Sequence, residues 1–166
     1  MVQVNNSGST NTQLTFGFNI AVPPGAKTLA GGKLILVNSN NKIAFSATSG
    51  LPGYQSLDCA YIRGKGRIPT CEQVNLKCYR VATKPIHLPS TKGVEGNFYA
   101  IIPYMVLVAG NKRGDFGIHY DANVPGSAGC IAVRQRDHWN LFEKCMKALW
   151  DADIIAVDLY VKHFLR

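Results

Sequence analysis

Acidic residues are scarce in this chain. Ten Asp and Glu stand against 18 Lys and Arg, which leaves a net charge of +8. That balance favours anionic partners, and nucleic acid, bacterial cell wall and membrane surfaces all qualify. The basic residues do not gather, however. The densest groups, "RGKGR" at 63–67 and "NKR" at 111–113, are too short for a nucleic-acid-binding signature. Long apolar runs are missing as well: no stretch approaches the roughly 18–20 residues that cross a bilayer. The polar start "MVQVNNSGSTNTQLTFGFN" has no basic-then-apolar secretion signal. Nucleic acid and a membrane span therefore drop out of the expected partners. General attraction to a polyanion is left, with cell wall as the class that fits best.

Disorder is excluded by composition. Hydrophobic residues make up 46% and charged residues 17% of the 166 residues, enough for one domain with its own core. Repeats and heptads are absent, and a monomer is the expected state. The five cysteines, Cys59, Cys71, Cys78, Cys130 and Cys145, include no C-x-x-C pair. Cys71 and Cys78 have no nearby partner pair, so metal binding is a poor reading and no metal or other cofactor is expected. An odd number leaves at least one thiol unpaired. The other four, bridged or simply buried as small apolar groups, have no pairing that spacing selects.

The chain reads as rich in strands. Residues 1–26 form an N-terminal arm with room for one extra strand in "QLTFGFNIAV", stopped by "PPG" at 23–25, and a single domain occupies 27–166. "KLILVN" and "KIAFSATS" around "SNN" carry a hairpin signal, with β-branched and aromatic residues on both sides. The Gly- and Pro-dense stretch 50–70 reads as a long loop, the kind that often serves function. "VNLKCYRV" at 74–81 is an expected strand, followed by a loop holding Pro85 and Pro89. "NFYAIIPYMVLVA" at 97–109 reads as buried strand interrupted at Pro103. One helix is expected at about 137–150, capped by Asp137, with Trp139, Leu141, Phe142, Cys145, Met146, Leu149 and Trp150 on a wide apolar face. "ADIIAVDLYVK" supplies a last strand.

One segment asks for more than turn chemistry. "GIHYDANVPGSAGCIAV", from Gly117 to Val133, ties a histidine to a cysteine across a loop of Asp, Asn, Pro and Gly. Turn formation explains Asp121, Asn123, Pro125 and Gly126. It requires neither His119 before the loop nor Cys130 after it. A thiol attacks as thiolate, and a neighbouring imidazole generates thiolate at neutral pH. A loop of about ten residues closes at modest entropic cost. Gly129 lets the backbone bend before Cys130 and leaves peptide N–H groups to face an oxyanion. The other histidines are weaker candidates: His87 lies in a Pro-bounded loop, His138 in the first helical turn, and His163 near the C-terminus.

The same segment resembles the active-site stretch of L,D-transpeptidase catalytic domains, in which a histidine precedes Ser-x-Gly-Cys and an aliphatic residue. Here these are Ile118-His119 and Ser127-Ala128-Gly129-Cys130-Ile131, most similar to the compact, phage- or effector-like branch. Upstream, "KLILVNSNNKIAFSATSGLPG" resembles that family's opening hairpin and "GKGRIPT" the Gly-rich segment bordering its cleft. The resemblance implies a β-sandwich-like catalytic fold without cofactor. It also implies a thioacyl-enzyme acting on peptidoglycan stem peptides, as transpeptidase or peptidase. By the same carry-over Cys130 is the nucleophile and His119 the base, and Gly129 and Ser127 belong to the nucleophile loop. The Tyr120 carbonyl, or alternatively Asp121, orients the imidazole. Lys65 borders the cleft as a substrate-binding residue.

This chain departs from the pattern in three places. Ala128 stands where a second histidine is usual, Ala132 where an arginine is usual, and "CEQ" follows "IPT" where a glycine is expected. Arg134 or Arg136 is the expected replacement for binding a substrate carboxylate. With no leader visible, delivery to the periplasmic wall is expected by a phage, a virion or a secretion system. The alternative is a cell-wall-binding or virion structural module that keeps the fold without the chemistry. Papain-like peptidases, with Cys ahead of His in the chain, fit less well.

Overall fold

Strands dominate because β-branched and aromatic residues alternate with polar ones over short runs. The computed structural model describes residues 11–39 and 41–165. Eleven strands and one helix follow in the order β1 (Gln13–Phe18), β2 (Gly32–Asn38), β3 (Asn41–Ser49), β4 (Tyr79–Ala82), β5 (Ile86–Leu88), β6 (Gly96–Ile102), β7 (Met105–Val108), β8 (Asn111–Gly114), β9 (Gly117–Tyr120), β10 (Ile131–Val133), α1 (Arg136–Asp151) and β11 (Ala156–Phe164). The protein is thus mainly β with one helix, as expected from the sequence.

Nine strands join in one sheet, ordered β4-β11-β1-β2-β3-β10-β9-β6-β5. A further β4–β6 pairing closes that sheet on itself like a barrel, leaving β5 as an appended edge. β7 and β8 form a separate two-stranded ribbon. The β2–β3 hairpin runs in unbroken register from Gly32↔Ala47 to Asn38↔Asn41. β9 and β10 are parallel neighbours, with Ile118 opposite Ile131 and His119 opposite Ala132.

Several expectations shift. The arm expected at 1–26 falls outside the described residues over 1–10. Its extra strand, β1, is an interior strand between β11 and β2, and Leu14 and Phe16 are fully buried. The strand expected at 74–81 begins only at Tyr79, because Asn75 takes a left-handed φ of 54° and the Leu76 N–H turns back to the Cys71 carbonyl. A short strand, β5, occupies the expected loop between Pro85 and Pro89. The helix cap also moves: Gln135 holds the N-cap position, and Asp137 lies in the first turn, where its charge suits the helix dipole.

The helix lies against β3, β9 and β10. Trp139, Phe142, Met146 and Leu149 are its buried face, each contributing on the order of 2 kcal/mol by leaving water. Phe142 meets Phe45 and Tyr99 edge-on, with ring centroids 5.6 and 5.3 Å apart. His138 is satisfied rather than free: its Nδ1 accepts from the Ser46 N–H at 2.8 Å. Leu141 and Trp150, expected on the buried face, are 42% and 40% exposed. All five cysteines are free thiols.

Candidate active site

The pairing of β9 with β10 brings His119 and Cys130 to one face. Side chains alternate along a strand, so Gly117 and His119 share a side of β9. Extending the register one step back from Ile131 sets Cys130 beside Gly117, on that same side. His119 is buried and Cys130 half-buried, and both line one cavity of about 640 Å³. Diagonal neighbours on a sheet face stand roughly 7–8 Å apart at Cα, within reach of one bound amide group. Thiol and imidazole are not hydrogen-bonded to each other. Catalytic hydrogen bonds commonly tighten only when substrate is bound.

Each group has its own partners. His119 Nδ1 lies 2.8 Å from the Tyr120 carbonyl, which can only accept. Nδ1 therefore carries the proton in the neutral ring, and Nε2 keeps its lone pair. Burial pushes the His119 pKa below its ordinary value, against an opposing pull from that carbonyl. The Phe98 ring stacks on the imidazole at 6.3 Å and 15°. Gly117 makes that possible, since a Cβ there would fall 2.1 Å from the Phe98 ring. The Cys130 sulfur receives the Gly117 N–H, and its S–H points to the Asp115 carbonyl at 3.9 Å. Burial pushes this thiol up to about 11; the Gly117 N–H and Arg113 pull it down, while Asp115 raises it.

The loop before the thiol is pinned from several sides. Ser127 Oγ donates to the Cys130 carbonyl and accepts the Gly50 N–H at 3.3 Å, while the Ser127 N–H reaches the Gly50 carbonyl at 3.2 Å. Ser49 Oγ donates to the Gly129 carbonyl at 3.2 Å. Gly129 has a φ of 122°, and a Cβ there would lie 2.4 Å from Arg113 Nη2 and 2.8 Å from the Phe116 ring. Beneath the loop Arg113, only 3% exposed, donates from Nη2 to the carbonyls of Gly66 and Ala128, at 3.0 and 3.3 Å. Its Nη1 reaches the carbonyls of Ala60 and Arg67. One buried guanidinium thus ties the 60–67 loop to the loop before Cys130.

Four expected participants stand elsewhere. Asp121 does not orient the imidazole; its carboxylate accepts the Gly126 N–H and faces Arg134 Nε at 3.9 Å. Burial raises the Asp121 pKa, while that N–H and Arg134 pull it down. Arg134 lies outside the cavity lining, and Arg136 stacks on the outer ring face of Tyr120, 3.9 Å from its centroid. The chain swings away from the cavity where β10 hands over to α1, which carries both arginines off. Lys65 is exposed over Tyr54, 5.0 Å from the ring centroid, and does not line the cavity either.

Other residues take those places. Phe98, Tyr104, Asp115 and Phe116 line the cavity beside the thiol. A second cavity of about 570 Å³, basic with Arg63, Lys112 and Arg113, meets the first at Cys130. The "GDFGIH" run carried a local hint of Asp115 and Phe116, since it feeds straight into His119. Arg113 had none, because backbone carbonyls far along the chain are its partners. Among the described residues no group of three or more His, Cys, Asp or Glu converges as a metal site, and no helix is long and apolar enough to cross a membrane.

No family model, curated protein or solved structure matches this chain.

Proposed function

We propose that this chain is a cysteine acyltransferase or peptidase of the L,D-transpeptidase type, acting on peptidoglycan stem peptides at the bacterial cell wall. Its strands then correspond to that family's β-sandwich-like catalytic domain. The observation that carries the proposal is a thiol and a tautomer-fixed imidazole opening into one cavity from adjacent parallel strands.

In this reading both groups rest neutral. Cys130 Sγ attacks the carbonyl carbon of a stem-peptide amide while its proton passes to His119 Nε2. The tetrahedral oxyanion is held by the N–H groups of Gly129 and Cys130. Collapse expels the amine, which takes the proton from the imidazolium and leaves a thioester on Cys130. Water or a second amine then attacks the thioester, gives its proton to His119, and returns the thiol. The two cavities that meet at Cys130 leave room for a chain on each side of the scissile bond, so an amine acceptor and water both have access. The net charge of +8 suits a polyanionic wall. Delivery by a phage, a virion or a secretion system belongs to the same proposal.

A wall-binding or virion module without turnover is the second reading. It draws on a thiol held up at about 11 with no bond to His119. Incubating purified peptidoglycan with the wild type and with Cys130→Ala, followed by mass spectrometry of the fragments, separates the two. Stem-peptide products from the wild type alone support the enzyme. Identical fragment profiles from both proteins would overturn it. A carbapenem adduct mapped to Cys130 is a further expected result.

A further inference from the structure

We infer that a cavity on the helix side of β6 binds acetamido-sugar units of a glycan, at a site separate from the thiol. Residues alternate along β6, so Phe98 faces Cys130's cavity while Asn97 and Tyr99 face the other way. Those two, with Glu143, Asn140, Lys144 and Trp150, line a cavity of about 600 Å³.

The floor of this cavity is a fixed acceptor. Glu143 Oε1 takes hydrogen bonds from Asn97 Nδ2 at 2.7 Å and from the Tyr99 hydroxyl at 3.1 Å. Burial, with the Glu143 charge next in size, pushes the Tyr99 phenol far above its ordinary range, so it stays a donor. A carboxylate held in one orientation calls for a ligand that donates hydrogen bonds, and the Lys84 and Lys144 ammonium groups in the same lining call for one that also accepts them. The Trp150 ring, 40% exposed, lines the cavity with the Lys84 ammonium 5.4 Å from its centroid on one face, and its other face is the surface offered for stacking. Pyranose rings present just such a pairing, with C–H faces to stack and hydroxyl edges to donate. Beside Glu143 on α1, the Asn140 amide and the Lys144 ammonium supply donors. Lys147 also lines the cavity, paired with Asp151 Oδ2 at 2.6 Å on the exposed side of the helix. An acetamido group lying along this stretch of α1 matches the acceptor and the donors, with its N–H toward Glu143 and its carbonyl toward Asn140 or Lys144.

The two cavities flank one edge of the sheet. Thr83, Lys84 and Pro85 line the glycan cavity, and Ile86 and Leu88 of β5 line the thiol cavity just beyond. A glycan held on the helix side can therefore pass its peptide branches over β5 toward Cys130. That last step rests on the function proposed above, whereas the sugar site stands without it.

Calorimetric titration tests the site in both wild type and Cys130→Ala. The probes are a tetramer of N-acetylglucosamine, peptide-free peptidoglycan glycan strands, and maltotetraose as a sugar without acetamido groups. Saturable binding of the first two by both proteins is expected, with maltotetraose at least about tenfold weaker. Trp150→Ala and the exposed-site variant Asn140→Ala are each expected to weaken the tetramer by about tenfold. Binding of the tetramer as well as the strands identifies the acetamido sugar itself; binding of the strands alone identifies the wall polymer, and either result supports the site. No saturable binding of either glycan, equal binding of maltotetraose, or undiminished affinity in both variants would overturn it. Because Cys130→Ala is included, loss of turnover and loss of sugar binding are read separately.

Discussion

Gly129→Ala isolates the backbone geometry that sets the direction of Cys130. Two costs meet at this position. The φ of 122° lies where side-chain-bearing residues rarely go, a strain of about 1–3 kcal/mol. The added methyl would also stand 2.4 Å from Arg113 Nη2 and 2.8 Å from the Phe116 ring. Arg113 cannot swing aside cheaply, because that same Nη2 donates to Gly66 and Ala128. Overpacking of this kind costs about 1–3 kcal/mol. The sum, about 2–6 kcal/mol, is a large share of the marginal stability of a domain this size.

Two further glycines separate the terms. Gly53 has a φ of 87° with nothing within 4 Å of its Cβ position, so Gly53→Ala carries the strain alone, about 1–2 kcal/mol. Gly96 has no positive φ, and its nearest neighbour is the Val94 carbonyl oxygen at 3.9 Å, so Gly96→Ala stays within about 0.5 kcal/mol. Urea unfolding of the three variants beside wild type, followed by circular dichroism, measures the series. The expected order of loss is Gly129 above Gly53 above Gly96. A Gly129→Ala protein no less stable than Gly53→Ala would refute the steric argument, because the contact with Arg113 would then be absorbed without cost.

The remaining predictions concern charge and protons. With His119 held below its ordinary pKa, the imidazole is neutral at pH 7, so the proposed turnover should fall on acidification with a midpoint below about 6.5. Because the thiol titrates only at about 11, no alkaline loss is expected below about pH 9, and a bell centred near neutrality would point to a preformed ion pair instead. At pH 7 a thiol at about 11 holds roughly two orders of magnitude less thiolate than a free cysteine. Iodoacetamide labelling of Cys130, followed by peptide mapping, should be correspondingly slow; labelling as fast as free cysteine would contradict the burial effect. Arg113→Gln withdraws charged donors from four carbonyls and should cost on the order of 3 kcal/mol by urea unfolding. A loss under about 1 kcal/mol would mean that water replaces the guanidinium. Ser127→Ala removes the hydroxyl joining the Cys130 carbonyl to the Gly50 N–H and should cost about 1–2 kcal/mol, with wild-type stability as the contrary result.

What could be read from the sequence was what repeats locally. The β2–β3 hairpin shows because β-branched and aromatic residues flank the "SNN" signal on both sides, and α1 shows because Trp139, Phe142, Met146 and Leu149 recur at helical spacing. His119 and Cys130 were visible as the ends of one loop, and the parallel pairing of β9 with β10 brings those ends together. β5 and β8 were not visible: each is short and carries polar residues, and what makes it a strand is a partner supplied by the fold. Arg134 and Arg136 misled for the opposite reason. Nearness to Cys130 in the chain suggested nearness in space, but the turn into α1 breaks that link.

Arg113 sets a buried positive charge beneath the loop before Cys130. Ala132, two residues after the cysteine, brings no charge of its own, and the β7–β8 ribbon delivers the guanidinium. Its bonding partners are backbone carbonyls rather than a carboxylate, so its charge is left uncompensated, and burial of an ion costs several kcal/mol before any offset. Burial accordingly lowers the Arg113 pKa, while Tyr79 and, after it, Cys130 raise it. In the resting protein that interaction gains little, because the thiol is neutral. In the proposed acyl transfer, negative charge appears on the sulfur and then on the carbonyl oxygen, and only then does the buried cation meet its complement. An interaction stronger in the transition state than at rest is the kind that accelerates a reaction. A purely structural cation would be satisfied equally in both states, so Arg113→Gln should reduce kcat of the folded fraction while leaving KM nearly unchanged.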